Sequence, residues 1–125
     1  MSGFLQSRIR SFQFAIDGLR YVLRTQKNAW IHAGVSFIVI ILGTWLAIPI
    51  LSWAIIFLTI GMVWAVECFN TAIETIVDLV SPQNHPLAKI SKDVGAAAVL
   101  ISAIMAVLIG IAVLGPSFLA KLFLR

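Results

Sequence analysis

The 39 residues from 28 to 66, between Lys27 and Glu67, carry no charged side chain. A helix needs only about 20 apolar residues to cross the ~30 Å hydrocarbon core of a bilayer, so this stretch holds two spans. Proline lacks the amide donor and restricts the residue before it, which makes Pro49 the natural break. The spacing predicts a first span over 30–48 and a second over 53–80. Trp30, Trp45 and Trp53 then lie near span ends, where indole rings favour the membrane interface. A second uncharged run, 94–120, predicts a third span over 94–115 that closes near Gly115 and Pro116.

Composition agrees with a membrane protein. Only 11% of the 125 residues are charged, 61% are hydrophobic and the mean hydropathy is +1.04. Soluble domains are about a quarter charged, and a lower density does not cover a water-facing surface. The expected fold is an all-α integral membrane protein, one domain over 1–125, with three transmembrane helices in an oligomeric bundle. Cys68 is the single cysteine, which excludes an intrachain disulfide and reads as a small apolar filler. No run before Lys27 is apolar enough for a secretory leader, so none is expected.

Five of the nine Lys and Arg residues precede residue 28, and the net charge is +4. Such clustering suits anionic lipid or a phosphate ligand, not a nucleic-acid surface. Arg8, Arg10, Arg20, Arg24 and Lys27 before the first span, with Lys89 and Lys92 between the second and third, make those segments cytosolic by the positive-inside rule. The turn at Pro49 and the tail with Lys121 and Arg125 then face the other side. Leu5, Ile9, Phe12, Ile16, Leu19 and Leu23 recur every three or four residues, which predicts an amphipathic helix over 4–28 lying in the cytosolic interface. Arg8 and Arg10 are its candidate contacts to lipid phosphate. Residues 81–85, with Pro82 and Asn84 and followed by Pro86, predict a cytosolic turn.

The second span carries Glu67, Asn70, Glu74 and Asp78. At 100° per residue these four project within an arc of ~80° on one helix face. An ionised carboxylate at mid-bilayer costs ~2.5 kcal/mol or more, so acids at this depth point to function. Measured from Trp53 at ~1.5 Å per residue, Glu67 lies ~21 Å along the helix, Glu74 ~31 Å and Asp78 ~37 Å. The deeper carboxyl, costly to ionise, suits a proton acceptor; the shallower ones suit a hydrated cation. With Lys92 and Asp93 at the same cytosolic level, the set suits a magnesium-bound polyphosphate, since magnesium is held by one or two carboxylates plus phosphate oxygens. A phosphate-cradling G-x-x-x-x-G-K-[ST] loop is not present in the sequence.

The run Glu67-Cys68-Phe69-Asn70-Thr71-Ala72-Ile73-Glu74-Thr75-Ile76-Val77-Asp78 resembles the E-x-x-N-[ST]-A-I-E-x-x-V-D signature of the small prokaryotic diacylglycerol kinase family, which includes undecaprenol kinases. Lys92-Asp93-Val94-Gly95-Ala96-Ala97-Ala98-Val99 is similar to its second motif. Ser11-Phe12-Gln13-Phe14-Ala15-Ile16-Asp17-Gly18 resembles its surface-helix pattern. The resemblance spans roughly residues 8 to 112. It implies a homotrimer with a composite site at each subunit boundary on the cytosolic side. Glu67 then matches the general base that takes the proton of a lipid hydroxyl, and Glu74 the principal magnesium ligand. Asn70, Glu74, Asp78, Lys92 and Asp93 match nucleotide-binding positions. Gln26 stands where many relatives carry a metal-binding glutamate; its neutral carbonyl oxygen implies a weaker second metal site. Ile31-His32 follows in a form common in the polyprenol-oriented branch, and a histidine at a membrane edge reads as structural.

The expected activity is transfer of the γ-phosphate of MgATP to a membrane lipid hydroxyl, with diacylglycerol and undecaprenol both open as acceptors. The other class is a proton-coupled cation or drug antiporter using Glu67. That reading leaves Asn70, Glu74, Asp78 and Lys92 unexplained. Three helices do not enclose a polar stripe by themselves, so oligomerisation is expected, with Gly95, Ala96, Ala97 and Ala98 permitting close helix approach.

Overall fold

The computed structural model describes residues 2–83 and 85–123, and of Ser2 only the backbone; the predicted turn residue Asn84 and tail residue Arg125 fall outside them. Four helices follow in order: α1 (Ser2–Thr25), α2 (Lys27–Leu46), α3 (Ile50–Val80) and α4 (Pro86–Phe123). The last three are long and apolar enough to cross a membrane. At ~1.5 Å per residue α2 just matches a ~30 Å hydrocarbon core. With 31 and 38 residues, α3 and α4 outrun it, which places their charged ends in water.

The amphipathic pattern continues to residue 28, but the helix breaks at Gln26, which is extended (φ −104°, ψ 115°). The Gln26 amide still closes onto the Val22 carbonyl at 2.8 Å, and the Trp30 indole N–H donates to the Leu23 carbonyl at 2.9 Å. These bonds satisfy groups that a helix end leaves open and pin the corner between α1 and α2. Val22 beside that corner is 5% exposed, whereas Leu5, Ile9, Phe12, Ile16 and Leu19 are uncovered by the rest of the chain. An uncovered apolar face of this length is what a helix lying in the bilayer surface presents.

Between α2 and α3 the break centres on Ala47 and Pro49. Ala47 adopts the left-handed conformation (φ 52°, ψ 47°). Its N–H meets the Thr44 carbonyl at 3.1 Å, and the Ile48 N–H meets that of Gly43 at 3.2 Å, so the last carbonyls of α2 are paired. Gly43 is needed there, because a Cβ would lie 2.9 Å from the Trp53 ring. Leu46, Ile48 and Ile56 form the buried cluster at this end.

The third span does not stop at Pro116, which α4 passes through to reach Phe123. Proline is tolerated in membrane helices where neighbouring groups re-satisfy the freed backbone. The extra turns bring Lys121 onto the C-terminal end of α2, where it donates to the Trp45 carbonyl and sits 4.3 Å over the Trp45 ring. A cation suits that end of the helix dipole, which accounts for a positive charge at the end opposite the basic cluster.

The main packing joins α3 to α4, and α1 touches the bundle only near its own C-terminus. A Cβ on Gly95 would run into Asn70 Oδ1, so this glycine sets how closely α4 approaches the acidic face of α3. Gly95 is thus spent inside the chain, contrary to its expected grouping with the alanines. Ala96, Ala97 and Ala98 stay exposed.

Candidate active site

The four polar residues of α3 stay on one face, and each meets a different part of the chain. Glu67 faces His32 of α2, Asn70 faces Gly95 of α4, Glu74 meets Gln26 at the corner, and Asp78 meets Lys92 of α4. Exposure rises along the stripe in the order expected of a helix leaving the membrane. Glu67 is 1% exposed and Asn70 7%, Glu74 is half-buried and Asp78 exposed.

Glu74 is the best-held acid. Its Oε2 accepts from Gln26 Nε2 at 2.8 Å and its Oε1 from Asn70 Nδ2 at 3.0 Å. Two amide donors fix the carboxylate plane without neutralising it, and water still reaches the group. Gln26 therefore turns its NH2 group, not its carbonyl oxygen, toward Glu74. The donating NH2 group leaves the Gln26 carbonyl oxygen, the expected metal contact, outside this hydrogen bond.

Lys92 Nζ donates to Asp78 Oδ1 at 2.7 Å, and Lys89 Nζ to Asp93 Oδ2 at 2.5 Å. Asp93 is thus paired with a lysine one turn away and is not directed at Glu74. Asp78, Lys89, Lys92 and Asp93 line an open polar cleft of about 590 Å³, together with Ser81 and Gln83 of the following turn. Two cations and two carboxylates at a water-facing cleft can exchange their mutual pairs for phosphate oxygens and a metal ion. Lys89, Ser81 and Gln83 were absent from the sequence-based site. The charge of Lys89 one turn before Lys92 was the available signal for the first.

Arg8 and Arg10 do not join this group. Arg8 is 18 residues from Gln26, or ~27 Å along α1, and its guanidinium lies 4.9 Å over the Phe4 ring. Arg10 is exposed. Within one chain both lie far from the acidic face, on the helix whose apolar face the rest of the chain leaves uncovered.

A second cavity, an apolar groove of about 600 Å³, runs between α2, α3 and α4 from His32 past Val39, Ile60 and Val107 to Phe118. On α4 it extends from Ala103 to Phe118, ~22 Å of helix. Glu67 lines neither cavity. The expected deep base is enclosed by the chain, with the His32 imidazole between it and the groove. His32 was read as structural, yet it is the only ionisable side chain among residues 28–66. An ionisable group at membrane depth was the signal to follow.

Among the described residues no three His, Cys, Asp or Glu side chains gather as a metal cage. The donor set fits magnesium in its other mode, one carboxylate completed by phosphate oxygens and water. Glu74, held by two amide donors and still reached by water, is the candidate for that carboxylate. The Asn70 Oδ1 beside it is a buried oxygen with no hydrogen-bond partner among the described residues.

The sequence profile described as prokaryotic diacylglycerol kinase matches residues 13–114. An undecaprenol kinase of Bacillus subtilis is 40% identical over 107 residues, covering 86% of this chain and 87% of its own. A diacylglycerol kinase of Synechocystis is 40% identical over 111 residues, 88% of this chain and 63% of its own. That of Escherichia coli K12 is 31% identical over 104 residues, 78% and 85% respectively. These matches favour phosphoryl transfer to lipid and give no support to an antiporter. With an all-helical chain of three membrane-crossing helices and a polar cleft at one end of an acidic helix face, the protein belongs to the prokaryotic diacylglycerol kinase family and is a multi-pass membrane lipid kinase.

Proposed function

We propose that this kinase transfers the γ-phosphoryl group of MgATP to the terminal hydroxyl of a polyprenol of the undecaprenol type, at the cytosolic face of the inner membrane. The observation that carries this reading is that two unlike cavities lie at different levels along one helix, on either side of its acidic stretch. The polar cleft at Asp78 and Lys92 opens to water, and the apolar groove headed by His32 opens to lipid. Glu67, Asn70 and Glu74 lie on α3 between them. A donor that lives in water and an acceptor that lives in the bilayer can meet only at such a boundary.

Glu67 is the group that takes the hydroxyl proton as the oxygen attacks the γ-phosphorus and ADP departs. Glu74, held by Gln26 and Asn70, would bind magnesium, and Lys92 would move from Asp78 to the phosphates. The bound magnesium would supply charge neutralisation across the phosphate oxygens. The chain's own contribution is alignment and electrostatics, which carry most of the catalysis in phosphoryl transfer. The cytosolic orientation is supported by Lys89, Lys92 and the basic α1 all lying at the end of the bundle that holds the polar cleft. A homotrimer is part of this reading, supported by the exposed Ala96, Ala97 and Ala98 and by the open side of Glu74 and Asp78.

The choice of polyprenol rests on the long apolar groove, which suits one hydrocarbon chain better than two, and is compatible with the match to the Bacillus undecaprenol kinase. Purified protein in mixed micelles with radiolabelled ATP tests it. The expected result is labelled organic-phase lipid with undecaprenol, at a kcat/KM on the order of tenfold above that for diacylglycerol, a difference of about 1.4 kcal/mol in transition-state binding. A preference for diacylglycerol overturns the acceptor, and no labelled lipid with either overturns the reaction.

A further inference from the structure

His32 and Glu67 come from different helices, α2 and α3, and meet inside the chain with His32 Nε2 3.7 Å from Glu67 Oε2. The Glu67 side chain is 1% exposed and that of His32 12%. Among the described residues, neither Glu67 oxygen nor His32 Nε2 has a hydrogen-bond partner. Buried polar atoms are nearly always paired, so three orphans facing one another call for an explanation.

The neighbouring donors are already engaged. The Thr71 hydroxyl donates to the Glu67 backbone carbonyl at 2.9 Å, and Asn70 Nδ2 and Gln26 Nε2 both donate to Glu74. Lys92, the nearest lysine of α4 to the stripe, is held by Asp78. What remains for the Glu67 carboxylate is the imidazole. We propose that His32 is the positioning residue of the lipid kinase reaction, its Nε2–H orienting the Glu67 carboxylate toward the hydroxyl at the head of the apolar groove.

A separation of 3.7 Å is longer than a hydrogen bond and closes by less than 1 Å to reach one. Catalytic hydrogen bonds are often long before substrate binds and tighten in the reacting complex. Because His32 also lines the groove, the entry of a lipid head group bears directly on the ring that touches Glu67. The lipid-filled groove and the base are thereby linked through one side chain. This inference rests on Glu67 being the base, and its test separates the two claims.

The test is a double-mutant cycle read as kcat and KM with radiolabelled ATP and undecaprenol. His32→Leu is expected to lower kcat by on the order of 10- to 100-fold, as loss of an orienting partner does elsewhere, while KM for MgATP stays unchanged. His32→Gln, whose amide nitrogen reaches about as far as Nε2, is expected to regain most of that loss. In a Glu67→Gln background, His32→Leu should cost nothing further in the residual rate, because there is no carboxylate left to orient. A His32→Leu kcat within about twofold of the parent overturns the proposal. So does an equal loss in the Glu67→Gln background, which marks a role in packing alone. If His32→Leu loses its helical signal in micelles, His32→Asn, polar but too short to reach Glu67, carries the same readings. Failure of Glu67→Gln itself to lower the rate would instead remove the base assignment.

Discussion

Glu67→Gln is expected to lower lipid phosphorylation by on the order of 10³-fold, the scale of losing a general base, while MgATP binding changes little. The substitution keeps shape and volume, so the closed pocket around residue 67 should survive it. What it removes is the capacity to accept the hydroxyl proton as the oxygen attacks. Glu67 lines neither cavity, and Glu74 and Asp78 lie about two and three turns nearer the cleft end of α3. The nucleotide contacts proposed for those residues are therefore expected not to depend on Glu67. Initial rates with radiolabelled ATP, paired with titration of a fluorescent ATP analogue, separate the two effects. A variant that binds nucleotide normally and still phosphorylates lipid at the parent rate would show that another group takes the proton.

Glu74→Ala is expected to act on the opposite half of the reaction. It should lower kcat/KM for MgATP by on the order of 10²-fold or more and raise the magnesium concentration needed for half-maximal rate. Two effects combine. The carboxylate proposed to hold the metal is lost, and the Gln26 and Asn70 amides that it accepts from at 2.8 and 3.0 Å are left without a partner. Unpaired donors in a half-buried site cost free energy of their own and free Asn70 to move against Gly95. Magnesium titrations of both proteins at saturating lipid provide the measurement. An unchanged magnesium dependence would remove Glu74 as the metal ligand even if the overall rate fell.

Much of this architecture was legible because membranes impose few solutions. A charge-free stretch twice the length of a span, broken at Pro49, has to become two helices, and α2 and α3 follow. The shared face of Glu67, Asn70, Glu74 and Asp78 was equally legible, since helical spacing alone sets the direction of side chains. Their partners were not. That Gln26 offers its nitrogen to Glu74, that Asp93 pairs with Lys89, and that Gly95 fits against Asn70 all depend on how separate helices pack. The passage of α4 through Pro116 also escaped a local reading. Proline's penalty is local, whereas the Lys121 contact with Trp45 that accompanies the extra turns is tertiary.

Depth along α3 explains both the success and the miss at Glu67. Counting residues put it inside the hydrocarbon slab, and the side chain is indeed enclosed. The same count gave no sign that His32 would close over it, because rise per residue fixes height and not which neighbour fills the space. The polar cleft illustrates the converse. Asp78 and Lys92 were paired by level in the membrane, and a 2.7 Å contact joins them.

The central claim is that one face of α3 holds metal-chelated triphosphate at its water end and a lipid hydroxyl at its membrane end. A crystal structure of the protein with magnesium and a non-hydrolysable ATP analogue tests this most directly. The account predicts a magnesium ion about 2.1 Å from a Glu74 carboxylate oxygen, phosphates in place of Asp78 on Lys92, and the γ-phosphate directed at Glu67. A nucleotide seated elsewhere on the chain, with Glu74 still bound only by Gln26 and Asn70, would contradict it.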